Sequence, residues 1–263
     1  MQSHRKRGAD TSVAIARPDP DTLYRELGEL QRADCPDLLQ FRSLVTAHQY
    51  RTLAALTDRW IPTPSDVLDW GCGNGHFSFQ LLRSGHRVTG YSFEDFLLRK
   101  HLSGSYRFAQ GDPADPATLP FDDASFDAVV SVGVLEHVRE TGGTEHASLQ
   151  EIERVLRPGG RFICYHLPNR FSWIEAMNRA VPGQHRHEFR YTRAGIEEMC
   201  RSAGLEPSEV GRYGALPRNL WHAAPARLRA SRMVANAWDA LDRGLGVVLS
   251  PVCQNYYFVA GKA

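Results

Sequence analysis

The sequence lacks an excess of charge of either sign, and this absence narrows its range of partners. Lysine and arginine number 31 against 30 aspartate and glutamate residues, a formal net charge of +1 over 263 residues. Proteins that bind nucleic acid or anionic membrane surfaces usually carry a basic excess. The composition therefore argues against both kinds of partner.

Cysteine is also scarce, and long apolar runs are missing. The five cysteines are dispersed, and no pair has the spacing of metal ligands, which is typical of reduced thiols in the cytoplasm. No apolar stretch approaches the length of a membrane-spanning helix. The basic start of the chain lacks the apolar run of a signal peptide. We therefore expect a cytoplasmic protein without a membrane span, with a disordered tail over residues 1–20.

The sequence does contain alternating strand-like and helix-like segments. Leucines at helical spacing predict an N-terminal helical cap over residues 21–60, which prolines 62 and 64 end. Strands are predicted in the remaining unit, 61–263, at 67–70, 87–91, 106–110, 126–132, 161–166, 205–211 and in the final NYYFVAGKA. Helices are predicted over 74–84, 94–101, 145–156 and 192–203. The pattern predicts an α/β fold with a Rossmann-like, seven-stranded, mostly parallel sheet and helices on both faces.

Two stretches interrupt this alternation, 167–191 and 213–254. Both are too long to be plain connections in a compact domain. We expect them to be lid insertions that form a wall of the substrate site.

The stretch VLDWGCGNGHFSF, residues 67–79, places three glycines at alternate positions after the first predicted strand. Glycines there let a ligand approach the backbone or permit unusual backbone angles. A dinucleotide-binding turn needs its third glycine where this chain has His76. Asp69, just before the turn, is awkward beside a pyrophosphate but suits an ammonium or sulfonium group. The turn favours a sulfonium cofactor without excluding a dinucleotide.

Further motifs follow at ordered spacings, namely QGD at 110–112, LPFDDASFDAVVSVGVLEHV at 119–138 and EIERVLRPGGRF at 151–162. Together with the glycine turn they resemble the class I S-adenosylmethionine-dependent methyltransferases, in particular their small-molecule branch. Leu135, Glu136 and His137 match the Leu-Glu-His signature of that branch. The resemblance covers residues 65–168 and continues more weakly through RYTRAGIEEMCRSAGL.

The resemblance implies that S-adenosyl-L-methionine binds along the carboxyl edge of the sheet. Its methionyl part is implied to contact Asp69, Gly71, Cys72, Gly73 and Gly75. Its adenine is implied to contact Asp112 and Pro113, and the methyl-transfer site is implied to include Ser131 and Val132. Structural alternatives remain for Asp69 and Asp112 as turn residues and for Cys72 as a merely small side chain. The family's acid after the second strand is replaced by Ser92, so we expect Glu94 to contact the ribose, with Ser92 as the weaker alternative.

The implied activity is methyl transfer to a hydroxyl or amine of a small-molecule acceptor, such as a sugar, lipid-linked or secondary-metabolite group. A nucleic-acid acceptor is disfavoured by the net charge and by the absence of an Asn-Pro-Pro-aromatic motif after the fourth strand. Two alternatives stay open, a nicotinamide-dependent oxidoreductase and a non-catalytic S-adenosylmethionine-binding regulatory module. The acceptor and the oligomeric state have no signature in the sequence.

Histidines are the candidates for a general base, because imidazole titrates near neutrality. His166 ends the fifth predicted strand and ranks first, His185 in the first insertion ranks second, and His137 ranks third. Each has the alternative of shaping the core or the pocket. His185 and His187 lie two residues apart, as metal ligands can, but no second cluster supplies further ligands, so no metal is predicted.

Overall fold

The structure is a computed structural model, and it describes residues 18–180 and 187–263. Residues 1–17, which make up most of the predicted tail, lie outside the described residues, and so does His185. Among the residues described, no helix combines the length and the apolar character needed to cross a membrane.

The described residues build one twisted sheet of seven strands. Their bounds are β1 Asp66–Trp70, β2 Arg87–Ser92, β3 Tyr106–Gln110, β4 Phe126–Val132, β5 Leu156–Pro168, β6 Leu205–Tyr213 and β7 Asn255–Lys262. They lie in the order β3-β2-β1-β4-β5-β7-β6, with β7 antiparallel to both neighbours and the other pairs parallel. The predicted Rossmann-like, mostly parallel sheet is confirmed. Because the strand order reverses between β1 and β4, their carboxyl ends flank a crevice.

Helices cover both faces of the sheet. Their bounds are α1 Pro20–Ala33, α2 Leu44–Ala47, α3 Arg51–Trp60, α4 His76–Arg83, α5 Glu145–Val155, α6 Trp173–Ala180, α7 Arg193–Ser202, α8 Ala226–Arg229 and α9 Arg232–Val248. One apolar cluster packs α1, α3 and α4 on the first face, and a second packs α5 and α7 on the other. Val67 belongs to the first cluster and Leu68 to the second, because successive strand residues point to opposite faces.

The helix predicted over 94–101 is wrong in extent. Only a short 3₁₀ helix forms there, Leu97–His101. Phe96 is extended, with φ −141° and ψ 152°, and its ring covers Gly75 so closely that a Cβ on that glycine would overlap it. Packing against the glycine turn therefore delays the start of the helix.

The strand predicted over 161–166 is longer in the structure. Its pairing with β4 passes from Phe126↔Leu156 to Ala128↔Arg161, so the Arg-Pro-Gly-Gly segment is accommodated as a bulge. At its other end the strand continues to Pro168, because Leu167 and Pro168 pair with β7. The extension carries the chain past His166 and into the first insertion.

A buried network of charges fastens the N-terminal helices to α9. The ring of His48 is fully buried, with Nε2 3.0 Å from an Asp21 oxygen and Nδ1 2.8 Å from an Asp239 oxygen. The guanidinium of Arg51 contacts the same two carboxylates at 2.6 and 3.0 Å. Since α9 lies within the second insertion, this network holds the cap and that insertion together above the carboxyl edge of the sheet.

Candidate cofactor and acceptor sites

The three glycines of the turn are required for two different reasons. All have positive φ, +70° at Gly71, +48° at Gly73 and +72° at Gly75, a region in which side chains are strained. A Cβ on Gly71 would overlap Val134, and one on Gly75 would overlap Phe96. A Cβ on Gly73 would meet only the Gly71 carbonyl oxygen, 3.9 Å away. Protein packing explains the outer glycines, and open space lies beside the central one.

That open space is a cavity of about 450 Å³ beside the turn, which we call the cofactor cavity. Its walls come from three segments, with Gly73 and Asn74 from the turn, Ser92 at the end of β2 and Glu94–Leu97 after it, and Asp37 from the cap. The Asn74 side-chain amide donates a 2.9 Å hydrogen bond to the Asp37 carbonyl. The cap therefore closes one side of this cavity, which sequence reasoning missed. Both residues considered for the ribose contact, Ser92 and Glu94, line it.

Asp69, just before the turn, and Cys72, within it, both have buried side chains. Asp69 is buried, and its Oδ2 accepts a 2.6 Å hydrogen bond from the Ser78 hydroxyl of α4. Burial raises the pKa of the Asp69 carboxyl to about 6. The backbone amide of Cys72 donates to the Tyr91 carbonyl of β2 at 2.9 Å, and burial raises the pKa of its thiol. The visible contacts of both residues support the turn from the protein side.

Asp112 and Pro113 lie exposed after β3. The Asp112 carboxylate accepts a 2.8 Å hydrogen bond from the Ala114 amide, as in a local turn. Gly111 donates to the Ser92 carbonyl at 3.0 Å, which ties this loop to the wall of the cofactor cavity. The adenine contact remains a prediction, and the turn role is the one visible in the structure.

Ser131 and Val132 end β4, next to the end of β1. Ser131 pairs with Trp70 in the register of the sheet. Its hydroxyl is fully buried and has no hydrogen-bond partner among the described residues. Gly133 follows with φ +71°, and its amide donates to the Tyr165 carbonyl at 2.9 Å. This turn directs the chain toward a second cavity.

The second cavity has a volume of about 690 Å³, and we call it the acceptor cavity. Its lining residues come from the cap, the loop after β4, the end of β5 and both insertions, and include Gln49, Glu136, His137, His166, Ile174, His187, Tyr213, Leu216 and Arg218. The structure thus brings together the predicted residues His137 and His166 with His187. Sequence reasoning missed Gln49 and Tyr213, because no local motif marks either residue.

His166 differs from the near-neutral imidazole that the sequence suggests. It has φ +70°, an unusual backbone angle for a residue other than glycine, at a register shift between β5 and β7. Its Nδ1 lies 2.6 Å from the Tyr213 hydroxyl. Burial lowers the pKa of His166 to about 3, so the ring is neutral at working pH. Burial therefore argues against the near-neutral titration that imidazole usually shows, and the role of His166 as a general base stays a prediction.

Glu136, His137 and His187 meet at one wall of the acceptor cavity. Glu136 is 3% exposed, and burial raises its pKa to about 7. The His137 Nδ1 lies 2.9 Å from Glu140 Oε1, and the two imidazole centroids are 5.7 Å apart. The His187 Nδ1 lies 3.2 Å from Glu175 Oε2. Although burial lowers the pKa of His187, the neighbouring carboxylates of Glu175, Glu136 and Glu140 raise it overall. Glu136 belongs to the Leu-Glu-His signature, which was the available signal for it.

Residues 68–164 match the profile of a protein family described as a methyltransferase domain. This segment runs from within β1 into β5 and contains the glycine turn, the end of β4 and Glu136. The chain carries a class I S-adenosylmethionine-dependent methyltransferase domain. The cofactor of this domain class is S-adenosylmethionine, so the dinucleotide interpretation of the turn loses its support.

Curated relatives of this methyltransferase domain share part of their length with the chain. A probable S-adenosylmethionine-dependent methyltransferase of Mycolicibacterium smegmatis is 31% identical over 145 residues, 55% of this chain and 53% of the relative. A demethylmenaquinone methyltransferase of Clavibacter sepedonicus is 40% identical over 103 residues, 37% of this chain and 39% of the relative. The chain thus spans about half the length, or less, of these two relatives.

A solved structure agrees with the methyltransferase fold over most of the chain. The Burkholderia thailandensis 1,6-didemethyltoxoflavin-N1-methyltransferase, solved with 1,6-didemethyltoxoflavin and S-adenosylhomocysteine, superposes with a TM-score of 0.54. The match covers 82% of this chain and 78% of that chain at 20% sequence identity. At this identity the likeness concerns the fold.

Proposed function

We propose that the protein transfers the methyl group of S-adenosylmethionine to a hydroxyl or amine of a small molecule held in the acceptor cavity. The observation that carries the proposal is the position of the two cavities. The cofactor cavity follows β1 and β2, and the acceptor cavity begins at Gly133, directly after β4. Gly71, at the start of the turn, packs against Val134, in the loop after β4. Ligands in the two cavities would therefore flank the same strand ends.

The cofactor cavity fits S-adenosylmethionine on observations of this chain. Gly73 leaves open space at a left-handed turn, and the amides at the start of α4 suit a carboxylate. Glu94 and Ser92 offer oxygen atoms for ribose hydroxyls, and we favour Glu94 because its exposed carboxylate lines the cavity. We further propose Asp112 and Pro113 beside the adenine, and Ser131 and Val132 beside the reacting methyl group.

The acceptor cavity fits a small molecule rather than a polymer. Its volume, about 690 Å³, lies within the range of pockets for small ligands. A nearly neutral chain offers no basic excess for a nucleic acid. Ile174 and Leu216 supply apolar walls, while Gln49 and Arg218 supply polar groups from the cap and the second insertion. This mixture suits an acceptor with both ring and polar parts.

The chemistry of the site is mainly alignment. When bound, S-adenosylmethionine supplies a methyl group on a positively charged sulfur, which is a good leaving group. The protein's residues would hold the acceptor in line with that methyl and exclude water. The neutral His166 ring and the Tyr213 hydroxyl, 2.6 Å apart, would orient the acceptor by hydrogen bonding.

Calorimetry with S-adenosylhomocysteine and with NAD tests the cofactor assignment. We expect the former to bind and to raise the melting temperature by several degrees, since a ligand at about a hundred times its Kd adds about 2.7 kcal/mol of stability. NAD at the same concentration should have little effect. A larger shift with NAD would overturn the assignment.

An acceptor screen with radiolabelled S-adenosylmethionine tests the activity. Small-molecule hydroxyls and amines form one arm and tRNA the other, and Gly73→Val protein is the blank. Transfer to a small molecule supports the proposal. Transfer to tRNA alone contradicts it, and binding without transfer in every arm favours a regulatory module.

A further inference from the structure

The wall of the acceptor cavity formed by Glu136, His137 and His187 has the composition of a metal centre. Each residue offers one ligand atom, and these atoms all lie within 4.8 Å of one another. We propose that the three side chains bind a divalent transition-metal ion, with open coordination positions facing the acceptor cavity. No sequence motif predicts this cluster, because His187 reaches it from the first insertion.

The donor set selects the class of ion. Two imidazoles and one carboxylate are the protein ligands of many catalytic zinc sites, which keep a further position for water or substrate. The same set with open positions also binds iron(II). Ligand atoms around one tetrahedral zinc are separated by about 3.4 Å, given metal–ligand distances of roughly 2.1 Å. The present distance from His137 Nε2 to Glu136 Oε1, 4.0 Å, is close to that value.

Two carboxylates orient the imidazoles from outside the cluster. Glu140 lies 2.9 Å from the Nδ1 of His137, and Glu175 lies 3.2 Å from the Nδ1 of His187. A carboxylate on one ring nitrogen fixes the tautomer and raises the basicity of the other nitrogen, and metal-binding histidines are usually held in this way. Since both contacts involve Nδ1, both rings are set to coordinate through Nε2.

The burial of Glu136 is an independent sign of a missing ligand. The residue is 3% exposed and lines the cavity, and its Oε2 has no hydrogen-bond partner among the described residues. A buried carboxylate oxygen without a partner is costly. A cation at this wall would satisfy that oxygen and would also balance the carboxylates of Glu140 and Glu175 nearby.

A second cluster in the described residues resembles a metal site less well. Asp34, Cys35 and His101 also bring ligand atoms within 4.8 Å. The Lys100 ammonium already lies 2.6 Å from Asp34 Oδ2 and supplies the positive charge there. This cluster lines neither the cofactor cavity nor the acceptor cavity, so it serves as a comparison site.

The metal gives the proposed reaction a substrate class, and this part of the inference rests on the proposed function. An ion with open positions would bind an acceptor oxygen and lower the pKa of a hydroxyl, as it does for water. As the hydroxyl binds the ion, its proton would pass to solvent water. The oxygen would then form a bond to the methyl carbon, and the electron pair of the carbon–sulfur bond would return to sulfur. The favoured acceptors are then hydroxyl compounds, in particular those with two neighbouring oxygens that chelate the ion.

Metal binding is measured on tag-free protein that has been stripped with a chelator. Zinc is titrated by calorimetry, and cobalt(II) is followed by its visible absorption. We expect one ion per chain at the cluster, with affinity reduced at least about tenfold in His187→Ala and Glu136→Gln. Glu140→Gln and Glu175→Gln should weaken binding by roughly 10- to 100-fold through loss of the orienting carboxylate. The matched controls are His101→Ala in the comparison cluster and His146→Ala at an exposed position outside the acceptor cavity. Both should bind as the unmodified protein does.

The inference is overturned if neither ion binds at about 0.1 mM, a concentration well above the Kd of metal sites of this type. It is also overturned if the His137→Ala/His187→Ala double variant binds like the controls, or if His101→Ala abolishes binding. A variant that fails to fold is replaced by His187→Gln, which keeps the polarity of the site. S-adenosylhomocysteine binding is measured on the same samples. If the protein binds S-adenosylhomocysteine but no metal ion, only this inference is contradicted. If it binds the metal ion but not S-adenosylhomocysteine, only the proposed function is contradicted.

Discussion

The cofactor cavity and the acceptor cavity differ in how their residues are distributed along the chain. The cofactor cavity is built largely from two short segments, the glycine turn and the residues at and just after the end of β2, with Asp37 added from the cap. The acceptor cavity draws on the cap, β4, β5 and both insertions. A site that depends on one turn leaves a pattern in the sequence, whereas a site assembled from distant segments depends on packing that the sequence does not display.

A substitution at Gly73 gives the strongest test of the difference between the two cavities. We expect Gly73→Val to reduce S-adenosylhomocysteine affinity at least about a thousandfold, or roughly 4 kcal/mol. The new side chain would fill the open space beside the turn. Gly104→Val is the matched control, because Gly104 also has positive φ (+73°) but nothing lies within 4 Å of its Cβ position. Titration calorimetry on both variants gives the comparison, and equal affinities would remove the cofactor from this turn.

A substitution at Gly71 should lower the stability of the protein more than it lowers the affinity for the cofactor. A Cβ there overlaps Val134 at φ +70°, so Gly71→Ala combines overpacking with left-handed strain, about 2–5 kcal/mol in total. Urea unfolding measures the loss. Val134→Ala in the same chain should restore part of it by removing the overlapping methyl groups. No recovery in the double variant would mean that strain alone, and not packing, requires this glycine.

These glycines show how far the sequence predicts the structure. The alternation of segments predicted the sheet and most of its strands, because strand and helix periods are local properties. It did not predict the extended Phe96, which is set by contact with Gly75, or the continuation of β5 beyond His166, which pairing with β7 determines. Such features depend on residues far apart in the chain.

The residues of the site divide in the same way into those that a local motif predicts and those that tertiary packing brings in. The motif predicted residues around the cofactor cavity, including Ser92 and Glu94 as the two ribose candidates. The depressed pKa of His166 and the contact between Glu175 and His187 arise from burial and tertiary packing. Neither leaves a local pattern that could be recognised beforehand.

The protonation of Asp69 gives a further test of the glycine turn, on the side that faces the protein interior. Burial raises the pKa of its carboxyl from 3.8 to about 6, so the folded state binds a proton more tightly than the unfolded state. The contribution of Asp69 to the free energy of unfolding is then fully present below pH 3.8 and is lost as the pH rises through 6, about 3 kcal/mol in all. Asp69→Asn removes this titration, and its stability relative to the unmodified protein should therefore increase between pH 4 and pH 7.

Urea unfolding at several pH values between 4 and 7 measures that difference. Asp112→Asn removes the same charge at an exposed position and is the control variant. A constant difference between Asp69→Asn and the unmodified protein would contradict a buried, proton-binding Asp69. Cofactor affinity is a second readout, and we expect it to weaken in Asp69→Asn while the fold persists.

The smallest expected effect concerns His166 in the acceptor cavity. With its pKa lowered to about 3 by burial, the ring is neutral from pH 5 upward and is a weak proton acceptor. A true general base contributes roughly 10²- to 10⁴-fold, whereas a residue that only orients the acceptor should cost less when replaced. We expect His166→Gln to lower turnover by less than about tenfold, with a higher KM and no change in the pH profile between 6 and 9. Tyr213→Phe, which removes the hydroxyl 2.6 Å from Nδ1, should have a similar effect. A loss above a hundredfold in kcat, with a pH step that disappears in the variant, would restore His166 as the base and show that burial does not fix its protonation during the reaction.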